Sequence, residues 1–113
     1  MAGIHFYFIQ ADRFQMTIPR IYADFNKLDR DRNAILLCAG TWKDLEEQGV
    51  QFSRGMKVIL SQPDDIDETG QPDFLETPAV IDYDEEHQYW VGRFDWNELE
   101  YRSVKEKRGA DAT

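Results

Sequence analysis

The side chains able to do chemistry are few in this sequence and lie far apart. Two histidines occur, His5 and His87. A histidine acts as base or metal donor through a partner that fixes its tautomer, and neither one sits at a spacing that marks it for that role. Of the serines, Ser53, Ser61 and Ser103, none lies in a Gly-x-Ser-x-Gly turn. Cys38 is the only cysteine and falls within the apolar run Ala34 to Ala39, with no adjacent base or cation to activate it. It reads as a small buried hydrophobe. No Cys or His pair has zinc-ligand spacing, and no glycine-rich phosphate loop is present. These residues favour a non-enzymatic protein with no cofactor. A carboxylate-based hydrolase would need at least two of Asp65, Asp73, Asp82 and His87 to converge in a concave pocket.

One segment is rich in oxygen donors: Asp65 to Glu76, DIDETGQPDFLE. It resembles the twelve-residue calcium loop of EF-hand proteins. The resemblance places Asp65, Asp67 and Thr69 at the first, third and fifth ligand positions and Gly70 at the sharp turn. The Gln71 carbonyl would be seventh, Asp73 ninth and Glu76 the bidentate twelfth. A hard cation takes six to eight such oxygens, so the resemblance implies calcium. Three departures separate the segment from that family. Thr69 stands where Asp or Asn is commoner, and Pro72 replaces the apolar residue that pairs two loops. No flanking helices are expected either, because Met56 to Ser61 reads as a strand and Pro63 and Pro78 interrupt. In a simple hairpin turning at Glu68 to Gln71, Glu76 would pair near Pro63. It would then lie too far along the ladder to share an ion with Asp65.

A second candidate site is the turn Asp84-Glu85-Glu86-His87. Hairpin tips often carry binding residues, and interfaces favour Tyr. Tyr83, Asp84, Glu85, His87 and Tyr89 are therefore the expected binding surface for a protein partner, together with the acidic loop Asp64 to Asp73. Trp90, Phe94 and Trp96, at alternate positions, are expected in the core.

The bulk properties restrict the partner further. The 113 residues include 22 acidic and 13 basic side chains, a net charge of −9. Nucleic-acid binding needs a basic stripe to release phosphate counterions, and the basic residues here are scattered. No apolar run approaches the ~18 residues of a membrane span, and the N-terminus lacks the features of a signal peptide. With no disulfide, a cytoplasmic location is expected. Sheet edges leave the oligomeric state open.

The elements that must position these residues are mostly strands. Ile4 to Ile9, rich in β-branched and aromatic residues, reads as a short strand. Ile21 to Asn26 alternates in polarity, and Ala34 to Ala39 reads as a central strand. Thr41 and Asp44 resemble a capping box that opens a short helix over 41–49. Val50 to Phe52, Met56 to Ser61, Ala79 to Tyr83 and Tyr89 to Trp96 complete the strands. The expected fold is mainly β (α+β), either a small SH3-like barrel or a curled antiparallel sheet of five to six strands. Residues 1–102 are expected to form a single domain, within which 1–15 could be a loosely attached extension. Residues 103–113, without an apolar pattern, are expected to be a disordered tail. The run Arg20 to Asn26, the segment Gly40-Thr41…Gly49 and Tyr83-Asp84…Tyr89-Trp90-Val91 together resemble a set of small bacterial proteins of no assigned activity. That resemblance implies one folded unit over roughly 16–101.

Overall fold

The computed structural model describes residues 18–111. The strand expected at Ile4 to Ile9 and the proposed extension over 1–15 lie outside the described residues. The chain runs β1 (Arg20–Tyr22), β2 (Ala34–Ile35), α1 (Ala39–Gln48), β3 (Lys57–Ile66), β4 (Pro72–Asp84) and β5 (Tyr89–Arg93). A 3-10 turn (Trp96–Glu98), β6 (Glu100–Tyr101) and α2 (Arg102–Asp111) follow. The fold is mainly β, in the α+β class.

The period-two pattern of β3 and β4 sets the core. Leu60 faces Thr77 and Val58 faces Ala79 across the ladder, and Ile81 faces Gly92 on β5. These residues are buried on one face, where Ile21, Ala23, Leu36 and Leu45 join them. Each large aliphatic side chain removed from water there contributes roughly 1.5–3 kcal/mol. Gly92 packs closely here, since a Cβ at that position would lie 2.8 Å from Leu60 Cδ1 and the leucine side chain would have to shift.

The six strands form one open mixed sheet in the order β1-β3-β4-β5-β2, with β6 paired to β4. β1 runs parallel to β3, and the other pairings are antiparallel. The SH3-like barrel is thereby corrected to an open sheet, and the reason lies at β1. Its outward backbone groups bond to α1 instead of to another strand. Tyr22 N–H donates to Asp44 Oδ2 at 2.7 Å, and the Tyr22 carbonyl accepts from Thr41 Oγ1 at 2.6 Å. The Arg20 carbonyl accepts from Gln48 Nε2 at 2.8 Å. A helix whose side chains satisfy an edge strand blunts that edge.

The same contacts explain why α1 begins at Ala39. Cys38 is the N-cap and makes no side-chain cap bond, whereas the expected capping pair, Thr41 and Asp44, is engaged by β1. The strand expected at Ala34 to Ala39 shortens to the two-residue edge strand β2. Leu36 beyond it is fully buried, but Leu37 is 59% exposed.

Two further expectations change. The acidic loop over 64–73 shrinks to a tip over 67–71, because β3 and β4 extend into it. Pro63 is tolerated inside β3 because β1 pairs only with Ile59 to Ser61, leaving Pro63 on an open edge. The ladder shifts register between Pro63 and Ile66, where Asp65 adopts φ 65. The tail expected to be disordered from 103 is helical through Asp111. Polar contacts anchor it: Ser103 Oγ donates to Asp73 Oδ2 at 2.5 Å, and Arg108 pairs with Glu100 at 2.7 Å.

Candidate functional site

The oxygen-rich segment is folded as the end of the β3–β4 hairpin. Gly70, at φ 86, supplies the left-handed residue of the tip. Asp67 organises the tip from within: its Oδ1 accepts from Thr69 N–H, Thr69 Oγ1 and Gln71 N–H. The Thr69 hydroxyl bond, ahead of the backbone donors, holds the Asp67 carboxyl below its ordinary range. Asp73, which is buried, accepts from the backbone and hydroxyl of Ser103, and the hydroxyl bond is the leading cause of its lowered pKa.

Asp65, Asp67 and Asp73 share a cavity of about 300 Å³ with Tyr101 and Ser103. Glu76 is elsewhere, opposite Ser61 on β3. Only 3% exposed, it accepts from Arg20 Nε at 2.8 Å and from Arg102 Nη2 at 2.7 Å. Burial pushes the Glu76 carboxyl up, but hydrogen bonds from Arg102, Ser61 and Arg20 outweigh it and hold the pKa below its ordinary value. The structure therefore gathers three of the five expected calcium ligands, leaves Thr69 bonded to Asp67, and commits Glu76 to a two-arginine clasp.

At the other hairpin the expected surface divides between the two sides of the sheet. Tyr83 pairs across the ladder with Trp90, and Asp84 with Tyr89, so the two pairs point to opposite faces. On one face a chain of rings runs from α1 across to β4. Trp42 meets Phe52 at 5.4 Å, Phe52 meets Trp90 at 5.7 Å, and Trp90 meets Tyr83 at 4.9 Å. Trp42 is 42% exposed. Arg54 ends the chain, with its guanidinium 5.9 Å from the Tyr83 ring and 3.1 Å from Glu85. Trp42 and Phe52 are the residues that sequence reasoning left out of the surface. The available signal was a tryptophan beside the polar stretch of a short helix.

On the opposite face, His87 stacks on Tyr89 with ring centroids 5.4 Å apart. Asp84 accepts from the His87 backbone at 3.1 Å and from its Nδ1 at 2.9 Å. The Asp84 hydrogen bond raises the His87 pKa above 6.5, and the His87 bonds lower that of Asp84. Among the described residues, the group of three metal-type ligands with donor atoms within 4.8 Å of one another is Asp84, Glu86 and His87. Glu86 and His87 are exposed.

Of the hydrolase quartet, Asp65 and Asp73 line one pocket, as the hydrolase reading requires of at least two, whereas Asp82 pairs with Arg93 and His87 with Asp84. A general acid at neutral pH needs a raised carboxyl pKa. Every carboxyl shift resolved among the described residues is downward. No helix among these residues is long and apolar enough to cross a membrane. Comparison with known proteins finds no matching family model, no matching curated protein and no matching solved structure.

Proposed function

We propose that this protein is a non-enzymatic, cytoplasmic interaction module that binds a protein segment along the Trp42–Phe52–Trp90–Tyr83 chain. The observation that carries this reading is the continuity of the four rings, with one end open to solvent at Trp42. Aromatic side chains backed by a packed core supply binding energy with little loss of side-chain freedom. The Asp84 to Glu86 turn beside Tyr83 adds negative charge, so the preferred partner carries apolar anchors flanked by basic residues.

Selection of a random peptide library on the full chain tests this reading. Enriched peptides should combine apolar or aromatic anchors with Lys or Arg. Trp42→Ala should weaken them at least tenfold, which is about 1.4 kcal/mol, while the circular dichroism stays unchanged. Absence of any enriched class, or equal binding by Trp42→Ala, overturns it.

A second reading, calcium binding, rests on the shared cavity of Asp65, Asp67 and Asp73. It uses no oxygen from Glu76. Calcium should then produce saturable NMR shifts at Gly70 that vanish in Asp65→Ala/Asp67→Ala and are not reproduced by magnesium. A flat titration to millimolar calcium eliminates it.

A further inference from the structure

The clasp around Glu76 has more donors than acceptors. Two guanidiniums, from Arg20 on β1 and Arg102 on α2, converge on a single carboxylate. The shortfall appears at Arg102: its Nε is the one buried side-chain polar atom among the described residues that has no hydrogen-bond partner. Buried donors are nearly always satisfied, and one left unpaired is destabilising, more so when charged.

The clasp borders a cavity of about 430 Å³ between α1, the sheet and the start of α2. Arg20, Arg102 and Lys43 supply its cationic walls, and Tyr22 and Phe74 supply apolar ones. The Arg102 guanidinium lies over the Phe74 ring at 4.0 Å, which fixes its plane. Two acidic residues also line the cavity, and both have partners: Asp44 accepts from Tyr22 N–H, and Glu47 lies 4.0 Å from Lys43. The size is that of a small-molecule site.

We propose that this cavity binds the carboxylate or phosphate group of a small organic anion whose apolar body rests on Tyr22 and Phe74. The anionic oxygens accept from the exposed parts of the Arg20 and Arg102 guanidiniums, in the forked geometry that guanidinium favours for both groups. Lys43 at the mouth contributes charge without a fixed geometry. The site is independent of the aromatic chain on the other face and stands or falls separately from the interaction reading.

The test is an NMR titration of the full chain at low ionic strength with benzoate, phenyl phosphate and, as the neutral control, benzyl alcohol. Saturable shifts at Gly40, Lys43, Phe74 and the Arg102 side-chain Nε–H are expected with dissociation constants of about 1 mM or below. Whichever of benzoate and phenyl phosphate binds more tightly identifies the headgroup. Lys43→Glu, a change at an exposed side chain, should weaken binding roughly tenfold, and Arg102→Lys should abolish the dependence on headgroup geometry. If neither anion saturates by about 10 mM, or benzyl alcohol binds equally well, the proposal fails. Unchanged affinity in Lys43→Glu overturns it as well.

Discussion

Glu76 and Asp84 both accept from basic side chains, two arginines in one case and a histidine in the other, but in opposite surroundings. Glu76 is 3% exposed, and its partners come from residues 56 and 26 positions away. Its carboxylate ties β1, β4 and α2 together. Asp84 has a quarter of its side chain in solvent and takes its partner from three residues along the same turn. Charge pairing in water is weak because solvent screens it and ordering the side chains costs entropy. Burial makes the same chemistry consequential, mainly because breaking a buried pair strands a charge. Glu76 therefore organises the fold, whereas Asp84 shapes a turn.

The sharpest way to break this contrast is Glu76→Ala. It leaves two guanidiniums facing each other beside the sheet with no counter-charge. Loss of a buried partner costs about 3–5 kcal/mol, and the half-exposed Arg20 side chain lowers that here. The expected loss is about 2–3 kcal/mol in urea unfolding, together with faster amide exchange along α2. A change below about 0.5 kcal/mol would place Glu76 with the surface pairs. The pH dependence has a definite sign. The folded pKa of Glu76 lies below its ordinary 4.5, so the stabilisation is fully present above 4.5 and is lost as pH falls through the lower folded value. Replacing the carboxyl by an amide, Glu76→Gln, should flatten that acid limb.

The same contrast accounts for what could be read from the sequence. Alternation of the kind present in Ile21 to Asn26 and Tyr89 to Trp96 sorts the two faces of a strand directly, because the side-chain period of a strand is two. The mainly β class, the β4–β5 hairpin and the core face bearing Trp90 followed from it. The turn at Asp84 to His87 was legible too, since the bonds between Asp84 and His87 that shape it are local. Arg20, Glu76 and Arg102 carry no such signal. Nothing in their own neighbourhoods shows that they meet, and α2, whose residues lack an apolar stripe, depends on those meetings. Thr41 and Asp44 show a subtler limit. Their spacing fits a helix cap, but a neighbouring strand edge competed for the same oxygens and took them. Glu76 fitted a calcium-loop position by spacing, but the bulge at Asp65 and the ladder beyond it carry Glu76 away to the two arginines.

The smallest expected effect lies at the exposed member of the comparison. Asp84 raises the His87 pKa above 6.5 through a direct hydrogen bond and its charge. For a group whose folded pKa is raised, the stabilisation is complete below 6.5 and disappears as pH rises through the folded value. Because the imidazole is exposed, the consequence should be confined to the turn. An NMR titration of the His87 ring should give a midpoint above 6.5 that returns toward 6.5 in Asp84→Asn, with no measurable change in melting temperature across the same range. A midpoint unmoved by Asp84→Asn would assign the shift to the overall negative charge of the protein, and a melting transition that follows His87 would mean that this turn, like the Glu76 clasp, helps hold the fold together.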